Sequence, residues 1–492
     1  LGEPGRQGPC ARYTSLVLTA GGLFAATCGV LGLAWTRFVP TGPDETRYYL
    51  IAQSIRSFRS LGAPGDEVWN FTFPPGYPAL IALVELAAPD PVLAARLASA
   101  MATAVTAVVV FLIGRELGGM RAGLVGAGAW IALVPISPAA SWVRTEPAAA
   151  MWLTLAILAW MRGRRGALWG WAAASAALAL AALTRPEILV VLAPFAYSAA
   201  RSLRPRRLVV AAAPALLILC FYSLSAYVQS GRMGLTHKSY NLALAPVLSA
   251  GHSYAEAFDA TFRETDPQTQ VLRPWAARYL YNLSKVPEAA AATARLVLLL
   301  VPAGLIALWR CGHPGRAVPL SALALLLSAP LFWIAPRFVY PALPALCVVA
   351  GMANAERTRW RLWGSMAVIV VTLSSSMVSA QVVRRSPDAA VEPAAAEAAR
   401  DLRSLDGVGA VLNYAAEVSY LAGRPAVWFR PRESVAQGAA RARSQGGTHV
   451  VLLAQDVPYL GPDWQALWDG ESRPELRILR RTDRYLIAEL RR

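Results

Sequence analysis

The sequence predicts a polytopic α-helical membrane protein with a small α/β domain at its C-terminal end. Three observations carry that prediction. Hydrophobic residues make up 56% of the 492, and charged residues only 16%, against roughly 25% in soluble domains. Apolar runs recur from residue 15 to residue 380, separated by charge, proline or glycine. Beyond Pro393 the pattern changes to short apolar runs alternating with helical ones. The net charge of +17 suggests nucleic acid, but its distribution argues otherwise. Only Lys238 and Lys285 are lysines, and most arginines sit in short loops between apolar runs or in the C-terminal stretch. The loop arginines are the positive-inside signal of a membrane protein, not a nucleic-acid footprint.

The first apolar run, 15–36, shows no convincing small-residue cleavage pattern and reads as a retained helix. Further spans follow at 92–114, 122–136, 146–161, 168–184, 187–200, 208–229, 293–309, 317–335, 338–353 and 362–380. Several fall short of the roughly 20 residues that a perpendicular crossing needs, so they thin the bilayer or border a cavity. Basic clusters set the orientation: Arg6 and Arg12, Arg115 and Arg121, then Arg162, Arg164 and Arg165. Arg201, Arg204, Arg206 and Arg207 follow, then Arg310 and Arg316, then Arg357, Arg359 and Arg361. All reach the cytoplasmic side only if an even number of crossings separates each consecutive pair, which the eleven spans satisfy.

The stretch 168–200 tests this scheme. As a single helix it would outrun the bilayer and put its two basic flanks on opposite sides. As a hairpin broken at Thr184-Arg185-Pro186-Glu187, it returns both flanks to the cytoplasm. Pro186 supplies the break by forcing Arg185 out of the helical region. The rising arm is then only about 25 Å long, so Arg185 and Glu187 sit below the outer surface and line a cavity.

Four regions face outward on this topology: 37–91, the turn near 137–145, the loop 230–292 and everything after about 381. Residues 1–385, with outer loops 37–91 and 230–292, form the transmembrane domain, and 386–492 form the extracytoplasmic α/β domain. Residues 46–60 read as an amphipathic helix lying along the interface. Residues 76–88 are apolar but too short to span, which suits a re-entrant or interfacial helix. In the C-terminal domain, short apolar runs at 408–412, 448–453 and 476–479 alternate with helical patterns at 394–404 and 433–444.

Asp44-Glu45 lies just where the first span leaves the bilayer, an expensive place for charge unless it does chemistry. Otherwise the pair merely caps the interfacial helix, since acidic residues favour helix N-termini. Arg185 in the broken hairpin and Arg337 at the outer end of a span offer guanidinium forks that match phosphate. Each could instead anchor its helix to headgroups by snorkelling. His237-Lys238, early in the long outer loop, either close over a ligand or are simply solvated. Arg144 and Glu146 lie at an outer helix start, and Tyr340 is an interfacial aromatic. The five cysteines show no CxxC and the four histidines are dispersed, so neither a disulfide framework nor a zinc site is expected.

PDETRYYLIAQSI, FPPGYPALIAL (from residue 73) and ARLASAMATAVTAVVVFLIGRELGG, in that order, resemble the polytopic glycosyltransferases of the GT-C class. The likeness is greatest to the branch of protein mannosyltransferases and lipid A aminoarabinose transferases. LTRPE (183–187) and PRFVYPALP (336–344) resemble two further blocks, so the likeness covers roughly residues 15 to 380. It implies a GT-C type fold of about 11 transmembrane helices in a bacterial inner membrane, with the N-terminus cytoplasmic and the C-terminal domain periplasmic. It also implies an inverting transfer of a hexosyl or pentosyl group from a polyprenyl-phosphate donor. The acceptor would be an envelope lipid, glycan or protein on the periplasmic face.

The resemblance makes Asp44 the general base, and Glu45 would orient acceptor or sugar hydroxyls. Arg185, Arg337, His237, Lys238 and Tyr340 would then meet the donor phosphate. Glu146, Tyr77 and Glu187 would border the acceptor cavity. The chemistry agrees: the lipid lies in the bilayer, the scissile bond at the interface, and the departing phosphate gains charge that cations stabilise. No cofactor is required, although paired carboxylates can bind a hard divalent cation. The rival reading is a transporter or flippase for a lipid-linked sugar, because intramembrane charge and broken helices also mark transport sites. Against it, the charges gather near the outer face and no inverted repeat is visible. A third reading, a catalytically inactive relative, sits poorly with the intact Asp44-Glu45 pair.

Overall fold

The computed structural model describes residues 9–34, 43–62, 73–134, 143–230, 267–310, 317–328, 339–355, 358–385, 393–405, 407–414, 417–429, 433–457 and 460–491. In chain order the helices are α1 (Pro9–Ala34), α2 (Pro43–Arg56), α3 (Gly76–Val84), α4 (Pro91–Leu133), α5 (Thr145–Arg164) and α6 (Leu168–Ala182). A 3-10 turn, Pro186–Val191, leads into α7 (Leu192–Ser202), followed by α8 (Pro205–Ser230) and α9 (Pro267–Ala294). A second 3-10 turn, Arg295–Leu300, joins α9 to α10 (Val301–Arg310). Then come α11 (Ala317–Ser328), a short turn Tyr340–Ala342, α12 (Leu343–Met352) and α13 (Arg359–Arg385). Among the described residues, five helices are long and apolar enough to cross a membrane: Thr14–Leu33, Pro91–Leu133, Pro205–Gln229, Leu283–Arg310 and Arg359–Ala380. The chain is a multi-pass helical membrane protein.

Two breaks and one helix start give the local logic. The runs read as spans 92–114 and 122–136 are the two arms of α4, interrupted at Gly119, whose φ of +83° only glycine adopts without strain. The arms lie against one another: Trp130 Nε1 donates to the Thr103 carbonyl at 3.0 Å. At residues 183–187 helix α6 ends, and Arg185 is extended (φ −144°, ψ 110°) before Pro186 opens the next turn. That is the conformation a following proline imposes. The amphipathic helix begins at Pro43, earlier than its pattern suggested, because proline suits a helix's first position.

The chain divides into two compact units: residues 1–36, 93–221 and 282–385, and residues 37–92, 222–281 and 386–492. The core of the first is made from α4, α5, α6 and α12, with Trp130, Trp171, Val110, Leu153 and Val348 buried. By contrast α8 and α13 expose Leu217, Phe221, Trp363 and Val371, the surface that lipid would cover. Close backbone contact holds α10 on α12. A Cβ added at Gly304 would lie 1.7 Å from the Val349 carbonyl oxygen, whereas one at Gly29 meets nothing within 4 Å. Gly304→Ala is therefore expected to destabilise the protein by about 1–3 kcal/mol through overpacking. Thermal unfolding of the purified protein should show it, with Gly29→Ala as the neutral control.

In the second unit, residues 393–491 build a five-stranded sheet of order β2-β1-β3-β5-β4, from β1 (Ala410–Asn413), β2 (Ala426–Trp428), β3 (Gly447–Leu453), β4 (Leu476–Arg481) and β5 (Tyr485–Leu490). Strands β2, β1 and β3 run parallel, while β5 is antiparallel to both its neighbours. Helices α14 (Pro393–Ser404) and α15 (Glu417–Ala422) cover one face through Ala398, Leu402 and Val418. Helices α16 (Val435–Ser444) and α17 (Pro462–Asp469) cover the other through Ala439 and Trp464. Strands β1 and β3 are buried on both faces, as parallel pairing with helical crossovers requires, while the edge strand β4 is exposed beyond Leu476.

Candidate active site

The two compact units each carry a cluster of the residues that the sequence singles out. In the second, Asp44 is the second residue of α2. Its side chain lies outside the described residues, as do Arg337, His237 and Lys238. Glu45 is buried, and so are Thr46, Tyr48 and Tyr49, a run that turns the first two turns of the helix inward.

The FPPGYP segment is the wall they pack against. Tyr48 stands edge-on to Phe73 (centroids 5.5 Å apart) and to Tyr77 (5.3 Å). The Arg47 guanidinium lies over the Phe73 ring, 5.1 Å from its centroid, a cation–π contact. Tyr77, expected to border the acceptor cavity, is fully buried in this packing. Its ring fixes α2 against α3, and so fixes the start of the helix that carries Asp44 and Glu45. Tyr49 in turn packs on Tyr420 of α15, with centroids 5.2 Å apart.

Sequence reasoning passed over Glu85, which ends α3 and is only 2% exposed. Among the described residues its one ion pair is a long one, 3.7 Å to half-exposed Arg56. Burial pushes the Glu85 carboxyl above its ordinary range; Arg56 opposes this and Asp90 adds to it. Beside them, burial pushes the Tyr420 phenol up to about 12, helped by Asp90 and Glu85. A carboxyl whose folded pKa exceeds its unfolded value contributes no penalty at acid pH. It costs stability as pH rises from the ordinary carboxyl range through the raised value. Glu85→Gln is therefore expected to unfold at higher temperature than the parent at neutral pH and at the same temperature in acid, as thermal scans at several pH values would show.

In the first unit the hairpin break and the start of α5 supply a buried triad. Arg185 Nη1 donates to Glu146 Oε1 at 2.5 Å, and its Nε donates to Glu187 Oε1 at 2.5 Å. Its Nη2 also pairs with Glu187. Glu146 and Arg185 are buried, at 2% and 7% exposure. Two carboxylates and one guanidinium leave the cluster formally at −1. The arginine that the sequence offers to a phosphate is thus already held by two carboxylates, and three of its five N–H donors are engaged with them.

Tyr340, also in this unit, is buried with its ring edge-on to Trp130 at 5.4 Å. Arg96, buried in the second turn of α4, is a further charge in an apolar span that the sequence reading missed. Its signal was a lone arginine inside an apolar run. Glu85, a lone acid after IALV, gave the same kind of signal.

No protein-family model and no curated protein sequence matches the chain. Solved structures do. The crystal structure of ArnT from Cupriavidus metallidurans bound to undecaprenyl phosphate matches with a TM-score of 0.65 at 14% identity, over 98% of each chain. Its apo state matches equally, at 15% identity and TM-score 0.65. The oligosaccharyltransferase of Archaeoglobus fulgidus, in complex with zinc and sulfate, matches with a TM-score of 0.55 at 12% identity, over 88% of this chain and 68% of its own. These matches show the fold: the chain is built like the GT-C enzymes ArnT and the archaeal oligosaccharyltransferase.

Proposed function

We propose that this chain is an inverting glycosyltransferase that moves a hexosyl or pentosyl group from a polyprenyl-phosphate donor to an envelope lipid, glycan or protein. The observation that carries this reading is the likeness, over nearly the whole of both chains, to ArnT with undecaprenyl phosphate bound. An Asp-Glu pair at the start of a buried, aromatic-braced helix supports it. Asp44 takes the proton of the attacking acceptor hydroxyl. The freed oxygen bonds to the anomeric carbon from the face opposite the phosphate, and the bond from that carbon to the phosphate oxygen breaks. Its electron pair leaves with the polyprenyl phosphate, and the anomeric configuration inverts.

Glu45 orients acceptor or sugar hydroxyls. Arg185, Arg337, His237, Lys238 and Tyr340 meet the departing phosphate. Glu146 and Glu187 hold Arg185 in place and border the acceptor side, while Tyr77 acts through the packing of α2. The reaction needs no cofactor, because guanidinium groups can neutralise the leaving phosphate. The membrane is a bacterial inner membrane crossed about eleven times. The N-terminus is cytoplasmic, and residues 386–492 lie on the periplasmic side with the site.

Reconstitution in liposomes with a labelled polyprenyl-phosphate sugar and an acceptor tests the reading. Transfer predicts free polyprenyl phosphate and glycosylated acceptor. Movement of intact donor between leaflets, with neither product, would mark a flippase instead.

A further inference from the structure

Arg295 is a charge that the proposed reaction does not use. It stands where α9 gives way to the 3-10 turn Arg295–Leu300, inside the apolar stretch Leu283–Arg310. Its φ of +45° is in the left-handed region, which a non-glycine residue occupies only when its surroundings demand it. The side chain crosses to α13, where Nη1 donates to Ser375 Oγ and Nη2 donates to Ser379 Oγ at 3.0 Å. Among the described residues it pairs with no carboxylate.

Hydroxyls orient a guanidinium but do not neutralise it, and a bare charge beside lipid is costly. The partly exposed head keeps donors of its five-donor fork for another partner. Exposed apolar side chains flank it: Leu296 and Leu299 on its own 3-10 turn, Val371 and Val378 on α13. From Arg310, ten α-helical and six 3-10 residues place Arg295 about 27 Å along the span. That is close to the far edge of a hydrocarbon core about 30 Å thick, where lipid phosphates lie.

We infer that Arg295, oriented by Ser375 and Ser379, is a binding site for the phosphate of a lipid whose chain lies along the apolar surface between the Arg295–Leu300 turn and α13. The inference goes beyond the transferase reading and does not depend on turnover. The two sources of such a phosphate are a polyprenyl monophosphate and a phospholipid diester. Native mass spectrometry of the purified full chain, titrated separately with farnesyl phosphate, phosphatidylglycerol and inorganic phosphate, distinguishes them.

Arg295→Gln should weaken binding of at least one lipid about tenfold, the loss of a charge-assisted contact, while Arg206→Gln, on exposed α8, leaves it unchanged. A loss confined to farnesyl phosphate makes this a carrier site, and an equal loss for phosphatidylglycerol makes it a headgroup site. Inorganic phosphate should bind far more weakly than either lipid, because it gains nothing from the apolar surface. Unchanged lipid affinity in Arg295→Gln would overturn the inference and leave the residue as a tie between α9 and α13. If that variant does not fold, Ser375→Ala with Ser379→Ala keeps the charge and removes its orientation. A severalfold weaker binding then supports the site, and an unchanged one overturns it.

Discussion

Asp44→Asn is expected to lower kcat by roughly 10²–10⁴-fold, the usual contribution of a positioned general base, with KM and thermal unfolding close to the parent's. The choice of asparagine makes the result informative. Asp44 is the second residue of α2, where a charge favours the helix start by only about 0.3–1 kcal/mol, so a pair whose only task is to start α2 would lose a little stability and almost no turnover. A carboxamide cannot take a proton from the acceptor hydroxyl, so a base would lose nearly everything. Steady-state rates with saturating donor, read beside a melting curve of the same preparation, separate the two. Glu45, buried next to it on the same helix, should behave differently. Glu45→Gln keeps the shape of an orienting residue, so its loss should be smaller and should fall on KM as well as kcat.

The second large effect concerns the Glu146–Arg185–Glu187 triad. Arg185→Ala removes the guanidinium that pairs with both of these carboxylates, and breaking a buried pair from one side costs about 3–5 kcal/mol. The variant should unfold at markedly lower temperature and show no transfer. Combining it with Glu146→Gln and Glu187→Gln removes the stranded charges. Stability should return in part in that triple variant, since the stranded charges are gone while the space that the arginine filled stays empty. Transfer should not return, because the cation at the hairpin break is still missing. A triple variant that regained both would make the triad purely structural.

Much of the helical scaffold was legible because its signals are local. Apart from the turn residues Leu183, Thr184 and Ala353, the described residues of the eleven apolar runs are helical, since length and hydropathy act within a single segment. The break at Arg185 was legible for the same reason: Pro186 dictates the conformation of its neighbour, and the basic flanks demand a hairpin. The join between the first two arms after α3 was marked by paired arginines, though the glycine that turns the chain there, Gly119, was not singled out.

What the sequence concealed depends on contacts between distant segments. Arg185 and Glu187 are adjacent enough to pair on sight, but Glu146 lies 39 residues away, and no spacing rule joins it to them. For the same reason the packing of Tyr77 against Tyr48 was not legible, and Glu85 and Arg96 read as parts of apolar runs. In the C-terminal unit β4 was visible as an apolar run, but its neighbour β5 and the short strand β2 were not. Their identity as strands comes from pairing, which a single sequence shows only weakly. The roles of Arg337, His237 and Lys238 rest on sequence alone.

The most direct test of the whole account is the fate of the donor. Purified protein would be incubated with a panel of polyprenyl-phosphate sugars and candidate envelope lipids and glycans, and mass spectrometry would follow the acceptor and the carrier together. The account predicts that at least one donor yields glycosylated acceptor and an equal amount of free polyprenyl phosphate, and that Asp44→Asn yields neither. Folded protein that leaves every donor intact across the panel, or product formation that survives Asp44→Asn undiminished, would contradict it.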